Sequence, residues 1–206
     1  YSNLLFDTNR GSSNYLKSDA TSAQATSSSY VTGFNSNGFS IGANYASGEN
    51  FASWTFRKQP KFFDIVTYTG TGVARTIAHN LGSVPGCMIV KRTDSTSNWY
   101  VYHRSLDPGG NPATAFLALN LTDAANSTLA WTNTQPTATV FYVGDGVSQN
   151  PINQNGATYV AYLFAHDAGG FGLTGTDNVI SCGSFTSTGQ EISLGYEPVS
   201  YTHLTL

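Results

Sequence analysis

The chain repeats itself, and this constrains its fold more than any other feature. Phe51–Lys58 (FASWTFRK) matches Tyr159–His166 (YVAYLFAH) at an offset of 108 residues, and Gly38–Gly42 (GFSIG) matches Val140–Gly144 (VFYVG) at 102. Tyr15–Ala23 (YLKSDATSA) matches Phe116–Ala124 (FLALNLTDA) at 101, and Leu81–Pro85 (LGSVP) matches Leu194–Pro198 (LGYEP) at 113. The matches keep one order and the offset drifts by loop-sized steps, so the chain holds about two copies of a unit just over 100 residues long. The copies also report which side chains point inward, because side chains alternate faces along a strand. Ala52, Trp54 and Phe56 align with Val160, Tyr162 and Phe164, apolar in both copies. The opposite face pairs Ser53 with Ala161, Thr55 with Leu163 and Arg57 with Ala165, and is not consistently apolar. The first set is therefore expected to face the core.

Composition indicates what each unit is made of. Only 10% of residues are charged, against roughly 25% in an average soluble domain. Aromatics reach 13%, and Ser, Thr and Asn fill about a third of the chain. Hydroxyl and amide groups must then cover the surface, while β-branched and aromatic residues suit pleated, half-buried strands. Glu occurs only at 49, 191 and 197, and runs of Ala, Leu, Glu and Lys are absent, so helices are poorly supplied. The aromatic content separates the chain from a disordered polar one.

The most complete copy predicts seven strands: Phe62–Gly70, Ala74–Leu81, Pro85–Thr93, Trp99–Leu106, Thr114–Thr122, Thr139–Gly144 and Ala157–His166. Only Asp123–Ala130 has room for a helical turn or short helix. This pattern predicts an all-β fold of tandem β-sandwich or jelly-roll-like units with about seven strands per unit. The link after the FASWTFRK-type strand is nine residues longer in the second copy and carries Asp167-Ala168-Gly169-Gly170, the mark of a linker. The chain accordingly divides into 1–58, the C-terminal part of a preceding unit; 59–168, a complete unit; 169–199, the start of a following, truncated unit; and a tail, 200–206.

A net charge of −3 provides no basic footprint for nucleic acid. The longest apolar stretch, Val160–Ala165, is too short to span a bilayer as a helix. Cys87 and Cys182 are too few for a disulfide scaffold, lack metal-ligand spacing, and read as small buried hydrophobes. Residue 1 is Tyr, so the start of the chain carries no information about export.

Several motifs invite a catalytic reading and lack its context. Gly38-Phe39-Ser40-Ile41-Gly42 fits a G-x-S-x-G elbow, but a loop-like run follows it where a helix is needed, and Tyr142 takes the serine position in the other copy. Gly170-Phe171-Gly172-Leu173-Thr174-Gly175 fits G-x-G-x-x-G, but leads into a β-like run and reads as a glycine-rich linker. The acids are scattered through presumed turns, with none of the clustering that glycosidases use. His79 alternates with Ile77 and Leu81 and reads as a buried core histidine; His103 and His166 align with Asp7 and Lys58, which argues against a shared metal site. Asp145-Gly146 and Asp177-Asn178 are ordinary turn chemistry. No catalytic residue, metal or cofactor is expected. Sugar sites pair flat aromatics with amides and hydroxyls, which makes Trp131, in a polar loop, and Arg104 the candidate ligand-binding residues; a Trp buried as a plug beneath that loop is the alternative.

Taken as a long ordered set, Phe63–Gly72, His79–Gly86, Ile89–Lys91, Trp99–His103 and Asn155–Ala165 resemble the repetitive all-β, tail-fibre-like structural proteins of marine tailed phages, many of them domains of unknown function. The resemblance covers nearly everything from Leu4 to Pro198. It implies a virion structural role at the host-facing end and an extracellular place on the virion. The implied partners are other virion tail proteins and a host-surface glycan, with a homotrimer as the usual fibre assembly. The alternative is a carbohydrate-binding module of a secreted bacterial protein. Beyond Pro198 the pattern stops, and the ending Ser200–Leu206 resembles translated sequencing-adaptor sequence, so it is expected to be non-native. Genomic reads across this point should diverge from it near residue 199; reads that continue through 206 as coding sequence overturn that expectation.

Overall fold

A computed structural model describes residues 2–45, 48–107, 110–127, 130–145, 151–185 and 189. Among them the protein is all-β, with antiparallel pairing throughout and no α-helix. The strands are β1 (Leu4–Phe6), β2 (Asn14–Lys17), β3 (Ala25–Thr26), β4 (Val31–Asn35), β5 (Gly38–Ile41), β6 (Phe63–Thr69), β7 (Arg75–Ala78), β8 (Cys87–Arg92), β9 (Trp99–His103), β10 (Ala115–Ala118), β11 (Asn126–Ser127), β12 (Val140–Val143) and β13 (Thr158–Phe164). Each of the seven strands read from the 59–168 copy contains one of these.

The central sheet has the order β11-β10-β9-β8-β13-β6, and two smaller sheets cover its faces. On one face Met88, Val90, Tyr102, Tyr159, Ala161 and Leu163 pack against Ile77 of β7 and Phe141 and Val143 of β12. On the other, Phe63, Ile65, Trp99, Val160 and Tyr162 pack against Leu16 of β2, with Leu5 of β1 alongside. β13 therefore buries both faces: Val160 and Tyr162 point one way, Tyr159, Ala161 and Leu163 the other, all at most 4% exposed. This corrects the single core face expected from the repeat. A strand covered on both sides loses the alternation and reads as a continuous apolar run, and YVAYLFA is one.

The aligned segment 51–58 behaves differently. It forms no strand, is exposed throughout, and leaves Trp54 88% exposed where Tyr162 is buried. A second correction concerns Asp123–Ala130. Asn126–Ser127 pairs with β10, and the one short helical turn among the described residues is a 3-10 turn at Pro112–Thr114. The Asn111 side chain caps that turn by accepting a hydrogen bond from the Ala113 N–H at 3.1 Å, and Pro112 supplies a preset φ at its first position.

The small sheet reproduces part of the central one. β2 pairs with β3 as Asn14↔Thr26 and Tyr15↔Ala25; adding 101 to every number yields Ala115↔Ser127 and Phe116↔Asn126, the pairing of β10 with β11. β1 pairs with β2 as Leu4↔Lys17 and Leu5↔Leu16, and adding 96 and 101 yields Tyr100↔Ala118 and Val101↔Leu117. The contact of Phe6 with Tyr30, centroids 6.5 Å apart, has its counterpart in Tyr102 against Trp131 at 5.9 Å.

Polar groups at the seam between small and central sheets are satisfied by one another, as burial demands. Arg10 and Asp7 form an ion pair at 2.5 Å with side chains 4% and 2% exposed. The Tyr162 hydroxyl donates to Asp7 Oδ2 at 2.7 Å, and Arg10 also reaches Gln24 Oε1 at 3.1 Å. Asn9 Nδ2 donates to the Ile65 carbonyl, and Trp99 Nε1 to that of Ala20. At the opposite end, fully buried Asn153 donates to the Val73 and Gly144 carbonyls and accepts from Thr71 N–H. Gly70 must be glycine there, since a Cβ would lie 2.1 Å from the Gln154 carbonyl oxygen.

Two substitutions check this architecture. Leu16→Ala should destabilise the protein by about 2–4 kcal/mol in a single denaturation transition, because the small sheet shares the central core; an unchanged midpoint would show that it merely rests there. Asn153→Ala should cost about 2–4 kcal/mol, since it strands two buried carbonyls and an N–H, measured by chemical denaturation.

Candidate functional site

An open groove of about 440 Å³ is lined by Thr21, Arg92, Thr96, Ser97, Asn98, Tyr100, Pro151 and Gln154. It forms where the small sheet, the β8–β9 turn and the loop before β13 meet. Arg92, at the end of β8, is fixed by a two-pronged contact with Asp94, Nε to Oδ1 at 2.9 Å and Nη2 to Oδ2 at 2.8 Å, and its Nη1 reaches Gln154 Oε1. Asp94 Oδ1 also accepts the Thr158 N–H at 3.0 Å. The Arg92 fork holds the Asp94 carboxyl down at about 2, so it stays ionised over the physiological range and has no proton to lend. The half-buried ring of Tyr100 leans on Phe116, centroids 5.2 Å apart. Thr21 anchors the opposite wall, its carbonyl accepting Ser97 N–H at 2.9 Å and Lys91 Nζ at 3.2 Å. An aromatic face, amides, hydroxyls and a guanidinium in one shallow groove suit a polyhydroxylated ligand. They do not supply the two facing carboxyls of glycosidic cleavage among the described residues.

A second cluster lies where residues 180–182 meet the ends of β13 and β9. Ser181 Oγ is 3.5 Å from His166 Nδ1, and His166 Nε2 is 3.5 Å from Asp167 Oδ2. The identities are those of a hydrolytic triad, but the geometry is not. His166 Nδ1 already accepts the Cys182 N–H at 3.1 Å, and Ser181 Oγ also contacts Asp167 Oδ2 at 3.4 Å, closing a triangle where catalysis needs a relay.

Trp131 is 1% exposed, its Nε1 donates to the Ala115 carbonyl at 3.1 Å, and its ring stands edge-on to Tyr102; it is the plug beneath the loop and offers no face to a ligand. Arg104 is exposed and reaches the Cys182 carbonyl at 3.5 Å, at the corner holding His103 and His166. Neither lines the groove. His79 is 6% exposed, with Leu81 N–H donating to its Nδ1 and Thr137 O beside its Nε2. Ser40 lies within β5, and Gly170–Gly175 is a turn with positive φ at each of its three glycines. Asn178 Oδ1 accepts Gly169 N–H, so that acid-amide pair serves its own turn, and Gly146 lies outside the described residues. Both cysteines are free; burial pushes Cys87 up to about 12 and Cys182 up to about 11, which keeps them as thiols. Among the described residues no three His, Cys, Asp or Glu side chains gather as a metal-holding group, and no helix is long and apolar enough to cross a membrane.

Sequence reasoning missed the groove because its walls come from segments more than 130 residues apart, each an unremarkable polar turn. The Arg92–Asp94 pair and Tyr100 carried no linear signal.

A family model described as a domain of unknown function (DUF7483) matches residues 1–194. The chain belongs to this family. No curated protein and no solved structure matches it.

Beneath the groove of this DUF7483 member lies Lys91, fully buried, its Nζ 6.0 Å from the Trp99 ring centre and donating to the Thr21 and Arg92 carbonyls. Burial, aided by Arg92, lowers it to about 8 from an ordinary 10.5. The folded state thus binds fewer protons than the unfolded one between those values. The cost of charging Lys91 is fully present below pH 8 and is relieved as pH rises. The stability of the wild type relative to Lys91→Met should climb between pH 8 and 9.5, with a limiting slope of about 1.4 kcal/mol per pH unit, in pH-dependent denaturation; the buried thiols of Cys87 and Cys182 pull the other way as pH rises and are common to both proteins. A difference that stays flat or falls through this window overturns the assignment.

Proposed function

We propose that this chain is a structural module of a virion tail appendage, built of tandem jelly-roll-like β-sandwich units, that presents a glycan-binding groove to the host surface. The observation that carries the reading is the register of β1–β3 recurring in β9–β11 while β1 and β2 pack into the core of the next unit. Units that share a core in this way make a stiff rod, and stiffness is what an appendage needs. The resemblance of the long ordered motif set to tail-fibre-like proteins supports the same reading. The groove adds the adhesive half: Tyr100, Arg92, Asn98 and Gln154 present stacking and hydrogen-bonding groups without a free proton donor. A carbohydrate-binding module of a secreted bacterial protein would use the same groove.

Antibodies against the chain should decorate tail appendages of purified phage particles carrying a family member; absence of the protein from such particles removes the virion reading and leaves the secreted module. On a glycan array the chain should retain one class of bacterial surface polysaccharide, and Tyr100→Ala should weaken retention at least about tenfold, the cost of losing a stacking face. Unchanged retention in that variant would sink the groove assignment.

A further inference from the structure

Resting on the tandem-unit reading, we propose that residues 1–58 are an open half-core whose missing cover is the β6–β8 segment of a preceding unit, and that residues 51–58 become a central strand when that cover is supplied. The argument is a comparison of equivalent positions. Phe39 and Ile41 are 37% and 63% exposed, whereas their counterparts Phe141 and Val143 are fully buried. Phe51 and Trp54 are 49% and 88% exposed, against 1% and 4% for Tyr159 and Tyr162. These four positions are apolar in both copies, but the cover differs. In the complete unit β13 lies between β8 and β6, β9 has β8 on its outer side, and β12 is paired by β7. In the N-terminal half β1 is an edge strand, β5 pairs with β4 instead, and among the described residues 51–58 has no flanking strand.

The side chains for a strand are already in place. An aromatic row runs Phe6, Tyr30, Tyr45, Phe51 with centroids 4.9–6.5 Å apart, and Phe56 sits 5.9 Å from Phe164 at the edge of the neighbouring core. A second folded copy cannot supply the cover, because its own β8 is paired on both sides, with β9 and β13. The occupant is therefore a β6–β8 segment of a preceding repeat. It would enter by adding strands to the open edges of β1 and 51–58.

The test extends the chain by its own sequence. Residues 59–96 are placed directly before Tyr1, so that Tyr1 takes the position of Ser97 and Leu4 that of Tyr100. In the unextended chain the amides of 51–58 should exchange freely while those of β13 are protected. In the extended chain 51–58 should slow by at least about 100-fold, as expected for a strand drawn into a core, with a blue shift of Trp54 emission. An extension carrying Met88→Asp and Val90→Asp should lose both effects. Unchanged exchange over 51–58, or equal protection with the Asp-bearing extension, overturns the proposal. Should the extended chain not fold, a peptide of residues 85–93 titrated onto the unextended chain decides: a blue shift supports the proposal, and none at millimolar peptide overturns it. Absence from virions would remove the appendage reading but leave this exchange result unchanged, so the two failures are separable.

Discussion

Everything in this molecule is arranged around β13. It is hydrogen-bonded along one edge to β8 and along the other to β6, and it is covered on both faces. Residues 159–163 therefore have no solvent-facing side, which is why the segment carries almost no polar side chain beyond the tyrosine hydroxyls. A strand so enclosed needs four neighbours at once: two in the sheet and one layer above and below. The small sheet at the N-terminus, the β7–β12 pair and the loops that pin them are the means by which the chain provides them.

That demand explains where the buried polar groups fall. With so few charges available, the chain places its best-satisfied ones at seams between layers. The Asp7–Arg10–Tyr162 network joins the small sheet to β13, Lys91 ties the Thr21 carbonyl to β8, and Asn153 clamps the loops around Gly70–Val73. Each replaces water by a protein partner and so fixes one register, a specificity that apolar contact alone does not provide. The surface is left to hydroxyls and amides. Where two seams and a turn meet, those same groups line the groove beside Tyr100, so the candidate binding site is a by-product of how the layers are locked.

Much of this is legible in the sequence alone. All seven strands of the complete copy were readable because β-branched and aromatic runs alternate with Gly, Asn and Asp turns. His79 was readable as a core histidine because it alternates with Ile77 and Leu81. Two of the differences from expectation share a cause. The single core face expected for Val160, Tyr162 and Phe164, and the strand expected for 51–58, both came from local pattern, and pattern does not count neighbours. β13 has strands on both edges and layers on both faces; 51–58 is apolar only at the positions matching Tyr159, Val160, Tyr162 and Phe164, and among the described residues it has neither flanking strand.

What the sequence by itself determined is the β-class and the position of most strands, because these follow from side-chain shape, backbone preference and spacing along the chain. What only the tertiary structure decided is which segments lie beside one another. It made Trp131 a plug beneath a loop and left Trp54 exposed. It also brought Thr21, Arg92, Tyr100 and Gln154 into one groove. The physical reason is that burial and site geometry depend on contacts between residues far apart in the chain, and local pattern carries no record of the partner.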